Sequence, residues 1–113
     1  MAKPAPLNGS LTGVLPQSEL VAYQPGAVVS RTLVKSTGGT VTAFAFAQGE
    51  GLSEHTTPFE ALVLGIEGEA EVLIAGHKHR VTGGTLLHLP AGRPHAVKAV
   101  STFKMLLVMV KAG

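Results

Sequence analysis

The stretch that decides the fold is Gly49-Glu50-Gly51-Leu52-Ser53-Glu54-His55-Thr56-Thr57-Pro58-Phe59-Glu60-Ala61-Leu62-Val63-Leu64-Gly65-Ile66-Glu67-Gly68. It opens on a turn-rich segment and delivers His55 at a loop-to-strand boundary. It then enters an apolar run, Ala61 to Ile66, and stops at a Glu-Gly turn. A second stretch, Gly84 to Ala99, repeats the logic: an apolar strand, a Pro/Gly turn, and His95 just after it. Two histidines brought in by two strand ends, with a short hairpin between them, point to one site.

Outward from these stretches the chain reads as strands. Val28–Val34 is rich in β-branched residues, and Thr40–Ala47 alternates, with Val41 opposite in parity to Phe44 and Phe46. Leu62–Ile66, Glu69–Ile74, His77–Thr82, Leu86–Leu89, His95–Val100 and Phe103–Val110 follow, and Leu20–Tyr23 is a further short candidate. Gln48–Phe59 reads as a loop. Lys78 and Arg80 fall where they can pair across a hairpin with Glu69 or Glu71. Glycine or proline punctuates the chain at short intervals and no segment carries a 3.6-residue period. An all-β sandwich or barrel is expected, with residues 1–13 a loose arm and 14–113 one domain.

Composition narrows the function classes. The 113 residues suffice for one core. Charged residues are only 14 %, well below the usual quarter, so part of the surface is expected to be covered by a partner chain. The nine Lys and Arg are scattered and the net charge is +2, which gives nucleic acid no phosphate-tracking face. Cysteine is absent, which removes disulfides and thiolate metal sites. Met1–Ser10 lacks the long apolar core of a signal peptide, and no apolar run approaches the ~20 residues of a membrane span. A cytoplasmic protein is the expectation.

The two histidine-bearing stretches resemble the paired motifs of the cupin superfamily. The first motif is Gly, five residues, His, one residue, His, three or four residues, Glu, six residues, Gly. Gly49, His55 and Gly68 fall on their places, whereas Thr57 stands at the second His and Ala61 at the Glu. The second motif is Gly, five residues, Pro, one residue, Gly, two residues, His, three residues, Asn. Gly84, Pro90, Gly92 and His95 match, and Ala99 replaces the Asn. The resemblance implies a double-stranded β-helix, or jelly-roll, barrel holding its site inside, and a homodimer. It implies a divalent transition metal (Fe, Mn, Ni, Cu or Zn) held by His55 and His95. The activity it implies is that of a metal-dependent small-molecule oxygenase or isomerase. With Thr57 and Ala61 in the donor positions, the alternative is a metal-free or weakly metal-binding barrel that holds a small ligand without turnover.

Other residues are weighed on their positions. His88 shares a strand face with Leu86. It is a third metal ligand if that face is the interior, and a satisfied core or interface histidine if not. Glu60 is one residue off the motif position, which on a strand turns it to the opposite face. Thr57 and Ala61 share parity with His55 and are expected inward. His77 and His79 sit at a hairpin tip and read as solvated, and Arg93 reads as an exposed turn residue. Phe44, Phe46, Phe59 and Phe103 read as core or pocket lining. Ser53-Glu54-His55 are sequence neighbours, which is not how a catalytic triad is built.

Overall fold

The computed structural model describes residues 13–112. Among the described residues nine strands carry the fold: β1 Val28–Ser36, β2 Gly39–Phe46, β3 Gly51–His55, β4 Glu60–Glu67, β5 Glu69–Ile74, β6 His77–Thr82, β7 Leu86–Leu89, β8 His95–Ala99 and β9 Phe103–Val110. Every pairing is antiparallel. One sheet has the order β1-β2-β9-β4-β7 and the other β3-β8-β5-β6. No helix among the described residues is long and apolar enough to cross a membrane.

The period-2 pattern explains how the sheets close on each other. Phe46, Val63, Leu89, Phe103 and Met105 of the first sheet share one buried cluster with Ala70, Val72, Val81, Val97 and Ala99 of the second. Successive strand residues point to opposite faces, so each of these leaves its neighbours outside. Phe46 and Phe103 pack at 5.8 Å between ring centroids near the middle of this core.

The two outer faces differ. The four-stranded sheet turns Glu69, Glu71, Lys78, Arg80 and Lys98 outward, and Arg80 forms the expected ion pair with Glu69. The five-stranded sheet turns out Val41, Leu62, Leu64, Leu86, Leu106, Val108 and Val110. Part of that apolar face is covered by the segment before β1. Leu20 and Val21 pack there on Leu33, Ala43 and Ala45. The Lys104 ammonium donates to the Ser18 carbonyl at 2.6 Å and lies over the Tyr23 ring.

Two expectations are corrected. Leu20–Tyr23 is not a strand. It follows a 3-10 turn, Gln17–Glu19. Its consecutive Leu20 and Val21 are both buried on one sheet face, which a strand's alternation forbids. Gln48–Phe59 is not all loop, because Gly51–His55 forms β3 against β8. Its residues are polar and largely exposed, so the pairing to β8 fixes it and local composition does not reveal it. The expected arm, residues 1–13, lies outside the described residues except for Gly13.

The turn between β4 and β5 shows why a motif glycine is needed. Gly68 has φ 82°, and a Cβ there would overlap the Thr102 carbonyl oxygen. Only glycine meets both conditions.

Candidate functional site

Two chain crossings build the site. After β3 the chain passes through residues 56–59 to the other sheet, and after β7 it returns through residues 90–94 to β8. The crossings are tied together: the Gly92 N–H donates to the Thr57 carbonyl at 2.8 Å. His55 ends β3 and His95 begins β8. Both motif histidines therefore arrive at the same end of the barrel.

They are direct register partners, His55 opposite His95. Leu52 pairs with Val97, so three residues of β3 span what two residues of β8 span. This is a β-bulge, and it re-aims the side chain that follows it. Plain alternation from the inward Leu52 would have turned Glu54 to the interior. The extra residue sets His55 against the His95 ring instead, at the solvent-open rim.

The imidazoles meet edge to face, with ring centroids 4.4 Å apart and planes at 66°. Each ring folds back on its own backbone. His55 Nδ1 lies 2.9 Å from the Ser53 carbonyl, and His95 Nδ1 lies 3.2 Å from the Arg93 carbonyl. A carbonyl oxygen only accepts, so each Nδ1 is assigned the hydrogen. Both Nε2 atoms then carry a free lone pair.

The pair spans a gradient from water to core. His95 is 5 % exposed and continues inward into Val97 and Ala99, while His55 is open to solvent. Burial pushes the His95 pKa below the ordinary histidine value, and a charge on His55 would push it further the same way. The carbonyl of Arg93 opposes this and does not reverse it. His95 is thus neutral at pH 7, as a base or metal ligand must be.

Across the barrel, Ala61 is buried among Val63, Leu89 and Phe46. Its inward placement follows the parity expected for it. Thr57 is half-buried and its hydroxyl accepts from the Phe59 N–H at 3.3 Å. The positions where a second His and a Glu would stand therefore hold a hydroxyl and a methyl.

His88 is not brought to the pair. In β7 it is Leu87 and Leu89 that turn toward the core, and His88, paired with Leu62, turns to the outer surface. Its Nε2 lies 2.6 Å from Glu60 Oε1. Glu60 also accepts from the Ala91 N–H at 3.3 Å, and its carboxyl is held below the usual range, first by His88 and then by that N–H. Glu60 is turned away from the interior, as the one-residue offset requires. His88 as a third ligand is corrected on the same ground: the strand's alternation puts a wall of leucine between it and the two other histidines. His77 and His79 are exposed on edge strand β6, and Arg93 is exposed in its turn. Among the described residues no group of three or more His, Cys, Asp or Glu is placed to hold a metal ion.

An antiparallel β-sandwich rolled into a barrel, with a histidine pair at one end of it, defines the class. The comparisons with known proteins agree. The family model described as a cupin domain matches residues 43–111, and the chain belongs to that family. A conserved protein of unknown function from Streptococcus pyogenes is 34 % identical, with 100 % of this chain and 97 % of that one covered and a TM-score of 0.87. A cupin superfamily protein from Desulfitobacterium hafniense is 28 % identical, with coverages of 98 % and 100 % and a TM-score of 0.86. A cupin 2 conserved barrel domain protein from Leptotrichia buccalis is 40 % identical over 83 % of this chain, which spans 46 % of that protein, with a TM-score of 0.81. No curated protein matches the chain.

Sequence reasoning missed one part of the site. The bulge that aims His55 leaves no local signal, since Ser53 and Glu54 are ordinary strand-edge residues.

Proposed function

We propose that this protein is a ligand-binding cupin barrel, in which His55 and His95 present two Nε2 lone pairs to one electron-pair-accepting ligand, without divalent-metal catalysis. The observation that carries this reading is the pairing of the rings at 4.4 Å with both Nδ1 atoms engaged by carbonyls. Such a pair accepts hydrogen bonds from a small molecule or donates to a metal ion. It does not supply the third protein donor that catalytic divalent sites use.

The donor set is what weighs against an oxygenase or isomerase of the metal-dependent kind. A carboxylate that offsets a dication is missing because Ala61 stands at its position. A dication between two neutral imidazoles would keep its full charge beside an apolar core, which is costly.

The test is to restore the missing donors. Thr57→His with Ala61→Glu should raise affinity for Ni²⁺ by at least about tenfold, or ~1.4 kcal/mol. Calorimetric titration of both apo proteins at one pH reads this directly. Equal and tight affinity in the unaltered chain would mean that a complete divalent site already exists, and would overturn the reading.

A further inference from the structure

Glu60 and His88 lie apart from the histidine site, on the outer face of the five-stranded sheet. His88 Nε2 stands 2.6 Å from Glu60 Oε1, and both side chains are open to solvent. Exposed apolar side chains ring this pair. Leu62 is the register partner of His88, Val110 is the register partner of Glu60, and Leu86 precedes His88 by two residues on the same face. Whatever covers these three covers the pair as well. The row that holds Leu62 and His88 runs the full width of the sheet, as Val34, Val41, Val108, Leu62 and His88. Its β1–β2 end is hollow: a cavity of about 210 Å³ is lined by Val34, Gly38, Gly39, Val41, Val108 and Val110, and no charged residue lines it.

We propose that this face takes a second copy of the chain, and that the Glu60–His88 pair makes the association take up protons. A two-fold axis along β9, the central strand, lays β4 and β7 of each copy over β2 and β1 of the other. The row then meets itself in reverse, with Leu62 and His88 of each copy set over the hollow at Val41 and Val34 of the other. Shape and apolar character agree; charge does not. Glu60 is held ionised, first by His88 and then by the Ala91 N–H. With His88 neutral the pair therefore carries a negative charge into an apolar contact, which is costly. With His88 protonated the pair has no net charge. Association thus favours the protonated pair and tightens as pH falls through the range, about 5 to 8, in which histidine titrates. No neighbouring element offsets the carboxylate. On this face β9 presents Val108 and Val110, and the crossing after β7 gives the Ala91 N–H. The opposing β1 and β2 bring Val34, Ser36, Gly39 and Val41, while Lys35 turns to the other side. Arg93 in the crossing and Lys111 after β9 are exposed, and neither forms an ion pair with Glu60.

The proposal is independent of what His55 and His95 bind. Sedimentation equilibrium of the full chain at pH 7.5 and pH 5.5 tests it. The dimer dissociation constant of the parent should fall at least about tenfold from the higher pH to the lower. His88→Gln should still dimerise, with the same constant at both. Glu60→Gln should reverse the slope, because protonation of His88 then brings an unpaired cation into the contact. Both side chains are solvent-open, so neither substitution empties the core. His55→Ala should keep the slope of the parent, which separates this pair from the histidine site. A slope that survives His88→Gln, or that keeps its direction in Glu60→Gln, would overturn the proton coupling. A parent that stays monomeric at both pH values would give the face to another occupant and overturn the proposal as a whole.

Discussion

His55 faces His95 across the β3–β8 ladder only because one extra residue separates it from Leu52. The bulge turns an exposed edge strand into half of a site. Each imidazole also reaches back to the carbonyl two residues earlier, Ser53 for one and Arg93 for the other. Two strand ends thus use one local device to set two tautomers.

The burial of His95 makes stability depend on pH. Its folded pKa lies below the unfolded value of about 6.5. Above that value both states are neutral and the protein has its full stability. As pH falls below it the unfolded chain takes up a proton that the native state refuses, and stability drops toward the lowered folded pKa. NMR titration of the His95 ring should give a midpoint under 6.5, and His95→Gln should flatten the melting temperature between pH 7.5 and 5.5. A midpoint at or above 6.5 would contradict the burial.

Tyr23 gives an alkaline counterpart, and it is the sole tyrosine of the chain. Its hydroxyl donates to Glu67 at 2.8 Å, and burial followed by that carboxylate pushes its pKa up to about 12. The unfolded phenol ionises near 10, so stability is complete below pH ~10 and is lost as pH rises toward 12. Ultraviolet titration of the phenolate reads this without interference. Glu67→Gln should lower the midpoint part of the way, since burial remains. A native midpoint near 10 would show that the segment before β1 does not pack on the sheet.

The motif glycines are not equivalent. Gly68 and Gly84 both have positive φ, but a Cβ at Gly68 would overlap Thr102 whereas at Gly84 it meets nothing within 4 Å. Gly84→Ala should cost about 1 kcal/mol, from backbone strain alone. Gly68→Ala should cost about 3 kcal/mol or more, because backbone must move as well. Urea denaturation compares them, and equal costs would contradict the turn geometry.

Much of the fold was legible because strands declare themselves by alternation and glycine marks their ends. β9 was legible as a strand, but with apolar residues on both faces only its pairing shows that Phe103, Met105, Leu107 and Met109 turn inward. The same alternation should have excluded His88 once Leu87 and Leu89 were given to the core. What could not be read is whatever depends on a distant partner. β3 exists because β8 offers it a ladder, and its bulge appears only in the pairing. Leu20 and Val21 are buried by a sheet face that forms elsewhere in the chain.

The homodimer expected from the sequence has one suitable face. On the five-stranded sheet Leu62, Leu86 and Val110 are 37, 62 and 50 % exposed, outside the cluster that Leu20 and Val21 form with Leu33, Ala43 and Ala45. The polar groups beside them, Glu60 and His88, bond to each other at 2.6 Å. A neutral apolar sheet face suits an identical one better than a charged partner. Light scattering at micromolar concentration should give twice the chain mass, and Leu62→Lys with Leu86→Lys should halve it. A monomeric parent would rule this out.

The account turns on two free Nε2 lone pairs at one end of the barrel, and long-range ¹H–¹⁵N correlation of the histidine rings tests that most directly. In apo protein at pH 7.5, His55 and His95 should both show the Nδ1–H tautomer, with Nε2 unprotonated and perturbed when ligand binds. A ring found as the Nε2–H tautomer would have its lone pair on Nδ1, turned toward its own backbone carbonyl, and the proposed site could not form.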